Sequence, residues 1–170
     1  SINGPILLGG GLGVDPLRFA DLANVISNQV KARQIRYVVG AKAHPALDDQ
    51  RVIDQLRATA PAVTVAHAHT FENWADLISG ASCLISGRFH HTIAAYFLGT
   101  PAIVFEAGTP KIQGLCAALK QDPPLSMRDS SLINRVVEAV ESALSENANM
   151  LDAKANQLML DRGAINFHGL

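Results

Sequence analysis

Short apolar runs and helix-period patterns alternate along this chain with a regular beat. Pro5 to Leu8 forms the first apolar run and leads into Gly9-Gly10-Gly11. Asp15 then offers a helix N-cap with Pro16 at the first helical position, and Leu17, Leu22, Val25, Ile26 and Val30 predict that helix's inward stripe. Ile35 to Val39 reads as a second strand closed by Gly40. Asp48 to Ala60 reads as a helix with Val52, Ile53 and Leu56 turned inward. Val63 to Ala66 is the third strand. In TFENWADLISGA, Thr70 caps a helix that Gly80 ends. Ser82 to Ser86 is the fourth strand, and His90 to Leu98 a helix stopped by Gly99. Ala102 to Phe105 is the fifth strand, and Pro110 to Leu119 the next helix. Beyond Pro123-Pro124 the pattern turns helical, over Ser130 to Glu146 and Asn149 to Arg162.

Strands that are continuous apolar runs are buried on both faces, and helices between them make neighbours pair in parallel. Right-handed crossovers then give an α/β fold: a doubly wound, mostly parallel sheet of five strands, Rossmann-like, with C-terminal helices. One domain is expected over 1–170, the sheet in 1–122 and the C-terminal helices in 130–162. No internal repeat or low-complexity segment interrupts it.

The bulk properties narrow what such a domain can hold. At 170 residues, 48% apolar and 17% charged, the chain can bury one sizeable core. Its net charge of −1, without blocks of like charge, argues against nucleic acid or an anionic membrane as a partner. Any bound anion must therefore be held by a local site. Cys83 and Cys116 have no paired spacing and read as reduced packing residues, which fits a cytoplasmic protein. No run approaches the ~20 apolar residues of a spanning helix. The start, SINGPILLGGG, does not have the form of a secretion signal. Its abrupt entry into a strand fits either removal of an upstream domain or a short natural start.

Ligands in doubly wound sheets bind beyond the carboxyl ends of the strands, so the candidate chemistry is sought there. Gly9-Gly10-Gly11-Leu12-Gly13 follows the first strand, and Gly10, Gly11 and Gly13 are candidates for a ligand loop. The spacing is not G-x-G-x-x-G, and a tight turn or hinge is an equal alternative. His67 and His69 follow the third strand. No third ligand supports a metal there, which leaves a ligand-facing loop or a solvated turn. The fourth junction is the strongest. Ser86-Gly87-Arg88-Phe89-His90-His91 joins a strand to a helix whose N-terminal amides favour an anion. A guanidinium adds a planar fork that matches carboxylate or phosphate, and histidine can donate a proton near neutral pH. His90 and His91 point about 100° apart on a helix, so one serves a ligand and the other packs. The structural alternative pairs Arg88 with Asp76 or Glu106. At the fifth junction Lys111 opens a helix, an unfavourable place for a cation unless an anion lies between. Glu106 there is a candidate acceptor for a sugar or ribose hydroxyl.

ISGRFHHTIAAYFLGTPAIVFEAGTPKIQGLCAAL resembles the polysaccharide pyruvyl transferase family, in which a strand ends in S/T-x-R-L/F-H, a helix follows, then G-x-P, a strand and a loop with lysine. The family is similar to two-domain GT-B glycosyltransferases, and the resemblance implies that this chain is the C-terminal, Rossmann-like half. It implies a transferase that moves a pyruvyl group from phosphoenolpyruvate to sugar hydroxyls of a bacterial surface polysaccharide, with no cofactor. By position, Arg88 would clamp the donor's carboxylate or phosphate, assisted by the Phe89 amide, and His90 would be the general acid. Lys111 matches the family lysine. His91 departs from the pattern, where the family commonly has a small polar residue, and the first domain's basic residues are not in this chain.

Two other functions remain open from sequence. One is the nucleotide-sugar-binding half of a GT-B glycosyltransferase or sugar-nucleotide epimerase, with Glu106 reading the ribose. The other is a non-catalytic anion- or nucleotide-binding module. Small-molecule donor and saccharide acceptor are the expected partners, and self-association through an interdomain face is open.

Overall fold

The structure is a computed structural model, and it describes residues 3–11, 14–30, 33–39, 47–106 and 110–145. In chain order these form β1 (Ile6–Gly9), α1 (Pro16–Gln29), β2 (Ile35–Val39), α2 (Leu47–Thr59), β3 (Val63–His67) and α3 (Phe71–Ser79). β4 (Cys83–Ser86), α4 (Phe89–Leu98), β5 (Ala102–Val104), α5 (Lys111–Ala118) and α6 (Leu132–Leu144) complete them. The five strands make one sheet in the order β3-β2-β1-β4-β5, and every pairing is parallel. This is the doubly wound, Rossmann-like α/β architecture. The predicted helix over 149–162 lies outside the described residues.

The period-two alternation of the strands sorts the helices into two layers. Ile6, Leu8, Tyr37, Val39, Cys83 and Ile85 face α1, α2 and α6. Leu7, Val38 and Leu84 face α3 and α4, and Val104 meets α4 and α5. Side chains as fully buried as Leu22, Ile26 and Leu56 each contribute about 1.5–3 kcal/mol over the exposed state. Both cysteines are buried and free, and burial pushes the Cys83 thiol up to about 12.

Local signals set the helix ends. The Asp15 carboxylate accepts from the amides of Leu17 and Arg18 at 3.0 and 3.4 Å, capping α1. Thr70 caps α3 by accepting from the Asn73 amide at 3.1 Å. Gly99 closes α4 in the left-handed region, with φ 70°. One expectation fails: Leu17 is 60% exposed. It lies five residues before Leu22, about 140° round the helix at 100° per residue, so it faces away from the buried stripe of Phe19, Leu22, Ala23 and Ile26. The fifth strand ends at Val104, and Phe105 continues it as a single bridge to Leu125. Among the described residues, no helix is long and apolar enough to cross a membrane.

Candidate functional site

The strand order reverses between β1 and β4, and at that point Gly9 stands in register with Ser86. The crevice outside such a reversal is where open α/β sheets take ligands. Here the β1–α1 loop and the β4–α4 loop are pressed together. The Gly87 amide donates to the Gly10 carbonyl at 3.2 Å, and the Ser86 hydroxyl donates to the same oxygen at 3.5 Å. A Cβ on Gly10 would come within 2.5 Å of the Tyr37 hydroxyl, and one on Gly11 within 2.8 Å of the Gly87 carbonyl. Gly11 thus serves a close approach of backbone to backbone, and Gly10 makes room for the Tyr37 hydroxyl.

Arg88 occupies the N-cap of α4 in extended conformation, φ −89° and ψ 123°. The Ser86 hydroxyl accepts from its amide at 3.0 Å, and its carbonyl accepts from the Thr92 hydroxyl at 2.9 Å. The backbone of Arg88 is therefore pinned on both sides. Its guanidinium Nη2 donates to Asp49 Oδ1 at 2.6 Å. The Tyr37 hydroxyl donates to that same oxygen, also at 2.6 Å. The partner of Arg88 is thus neither Asp76 nor Glu106, the alternatives read from the sequence, but Asp49, delivered by α2.

Asp49 is the third residue of α2 and only 2% exposed, while the Arg88 side chain keeps 28% of its surface. The free amides at the start of α2 favour a carboxylate there. Burial, followed by the hydrogen bond and charge of Asp49, holds the Tyr37 hydroxyl far above its ordinary pKa, so it stays a donor. Arg88 Nε is buried and has no partner among the described residues.

The adjacent histidines separate as a helix requires. His91 is 3% exposed, with its ring tilted against Trp74 at 5.6 Å between centroids. Burial first, then the charges of Arg88 and His90, lowers its pKa to about 3, so it is neutral. His90 is exposed on the first turn of α4, edge-on to Phe89 at 5.7 Å. Phe89 itself leans on the apolar cluster of Tyr96, Val104 and Ile112.

The remaining candidates lie at carboxyl ends of other strands. Lys111 is exposed at the start of α5. Glu106 is exposed just past β5, its amide donating to the Leu125 carbonyl at 2.9 Å. His67 and His69 are exposed and stacked, with centroids 6.3 Å apart. Among the described residues, none of these four shares a hydrogen bond or ion pair with Arg88. No cluster of three or more His, Cys, Asp or Glu suited to a metal ion occurs among the described residues. Gly13 lies outside them. A groove of about 320 Å³ beside β5 and α6, lined by residues such as Tyr96, Gln121, Arg135 and Glu138, touches none of the candidates.

Sequence reasoning missed Asp49 and Tyr37. The signal was present: a tyrosine inside an otherwise apolar strand must find a partner for its hydroxyl, and an acid in the first turn of the next helix is within reach.

Comparison with solved structures agrees with this topology. The glycotransferase of kitacinnamycin superposes with a TM-score of 0.62 at 14% identity, over 96% of this chain and 41% of that one. TarM of S. aureus gives 0.64 at 11% identity, over 94% of this chain and 32% of that one. The C-terminal CMP-Kdo binding domain of WaaA from Acinetobacter baumannii gives 0.58 at 14%, over 92% and 90%. The chain spans less than half the length of the first two. Identities this low speak for the fold alone, and the fold is that of one Rossmann-like half of the GT-B glycosyltransferases. No curated protein sequence matches the chain. The polysaccharide pyruvyl transferase family profile matches residues 15–108, more than half of the chain, and the chain belongs to that family. The matched span holds Tyr37, Asp49 and the whole of Arg88-Phe89-His90.

Proposed function

We propose that this chain is the donor-binding, C-terminal half of a transferase that passes the pyruvyl group of phosphoenolpyruvate to hydroxyls of a bacterial surface polysaccharide. The observation that carries this reading is Arg88. A cation stands at the N-terminus of α4, at the reversal of strand order, with 28% of its side-chain surface exposed. Phosphoenolpyruvate carries two anionic groups, and a fork beside free helix amides suits either. His90 is exposed one turn-position further and can deliver a proton.

The chemistry is written as follows. His90 gives its proton to the methylene carbon of the enol, which becomes a methyl group, and positive charge develops at the adjacent carbon. A sugar hydroxyl attacks that carbon and loses its proton. Phosphate then leaves with its bonding electrons, and a second hydroxyl closes the ketal. The groups of this chain bind and protonate the donor, and the acceptor lies in the cleft towards the other half of the enzyme. Lys111 is the second cation assigned to the donor.

Calorimetric titration of phosphoenolpyruvate and, separately, UDP and CMP into wild type and Arg88→Ala tests the reading. Phosphoenolpyruvate should bind wild type and not the variant. Binding of a nucleotide in its place would overturn the donor assignment in favour of a nucleotide-sugar-binding half.

A further inference from the structure

We infer that Asp49 is a positioning residue for Arg88, with Tyr37 fixing Asp49 in turn, so that the guanidinium is oriented before any anion arrives. The inference rests on the reading of Arg88 as the donor's cation. Three observations carry it. Both donors converge on one oxygen, Asp49 Oδ1, each at 2.6 Å, so the carboxylate is held from β2 and from the N-cap of α4 at once. The pair is asymmetric: Asp49 is buried behind, and Arg88 keeps its partial exposure in front. Arg88 Nε remains without a partner among the described residues, so Asp49 does not exhaust the fork.

A purely structural role is a poor explanation for this arrangement. A buried ion pair adds little to stability over apolar side chains of the same volume, because both charges lose water. The network also constrains its surroundings, since the Tyr37 hydroxyl leaves no room for a Cβ at Gly10. What the arrangement does supply is orientation. A guanidinium is planar, so one short bond from a rigid carboxylate fixes the direction of its other donors. A side chain as rich in rotamers as arginine otherwise loses much of that freedom when an anion orders it, and a pre-oriented one has already lost it. The start of α2 offsets part of the negative charge that Asp49 would set against an incoming anion.

The test uses the full chain and phosphoenolpyruvate as probe, with Asp49→Asn and Tyr37→Phe as variants. Removing the charge at Asp49 should weaken phosphoenolpyruvate binding about tenfold or more, and Tyr37→Phe should weaken it several-fold. Asp49→Glu, which keeps a carboxylate, should recover part of the loss. Nitrogen NMR of the ligand-free protein supplies the readout that a structural role would not move. The two Arg88 Nη signals should be resolved in wild type, from hindered rotation, and merged in Asp49→Asn. Should Asp49→Asn not fold, Tyr37→Phe carries both measurements. Unchanged affinity in the folded variants, or merged Nη signals already in wild type, would overturn the inference. Failure of wild type to bind phosphoenolpyruvate would instead count against the donor assignment, and the Nη signals would still decide whether Asp49 holds Arg88.

Discussion

Gly9 and His91 share one space: a Cβ on Gly9 would stand 2.5 Å from His91 Nδ1 and 2.6 Å from the Ser86 hydroxyl. The bare backbone at the end of β1 lets the imbedded imidazole at the start of α4 pack beneath the ligand crevice. Gly9→Ala forces one of two buried groups to move, at a cost of about 1–3 kcal/mol. Urea unfolding should show that loss in the midpoint. A midpoint equal to wild type would mean that the packing of Gly9 against His91 and Ser86 is loose enough to admit a methyl group.

Neutral His91 makes the fold acid-sensitive. Its folded pKa of about 3 lies below the ordinary 6.5, with burial as the main cause. Between those values the unfolded chain holds the extra proton. Stability from this residue is therefore full above pH 6.5 and falls as pH drops towards 3, by up to about 1.4 kcal/mol per unit. His91→Gln should flatten the dependence of the unfolding midpoint between pH 6.5 and 4.5. Parallel curves for the two proteins would show that other groups carry the acid response.

Arg88 and Asp49 should be coupled in stability as well as in binding. Arg88→Ala leaves a buried carboxylate with Tyr37 as its remaining side-chain partner among the described residues. Breaking a buried pair costs about 3–5 kcal/mol, reduced here to about 2–3 because Arg88 partly faces water. Adding Asp49→Asn to Arg88→Ala should return much of the lost stability. Additive losses in thermal unfolding would mean that the two side chains act independently.

Much of this molecule was legible in its sequence. The strands, their parallel pairing and the helix caps at Asp15 and Thr70 follow from continuous apolar runs and local hydrogen bonding, which need no tertiary information. The separation of His90 from His91 was likewise fixed by helix geometry. What the sequence hid is long-range. Asp49 and Arg88 are 39 positions apart and meet because β1 lies between β2 and β4, an order that composition and periodicity do not encode. Leu17 misled because it has the right character on the wrong side of α1.

In the proposed mechanism the exposed His90 donates a proton rather than supporting the core. His90→Ala should leave phosphoenolpyruvate affinity and the unfolding midpoint near wild type. In the complete enzyme with its saccharide acceptor, phosphate release should fall at least about a hundredfold, the usual contribution of a general acid. Full turnover in that variant would remove His90 from the mechanism.

The most direct measurement is an NMR titration of isotope-labelled protein with phosphoenolpyruvate, followed by UDP and CMP, reading backbone amides. Donor binding at the reversal of the sheet should shift Gly87, Arg88, Phe89, His90, His91 and Lys111 with phosphoenolpyruvate alone. Shifts produced by a nucleotide instead, centred on His67 and Glu106, would contradict the pyruvyl donor site and point to a nucleotide-sugar-binding half.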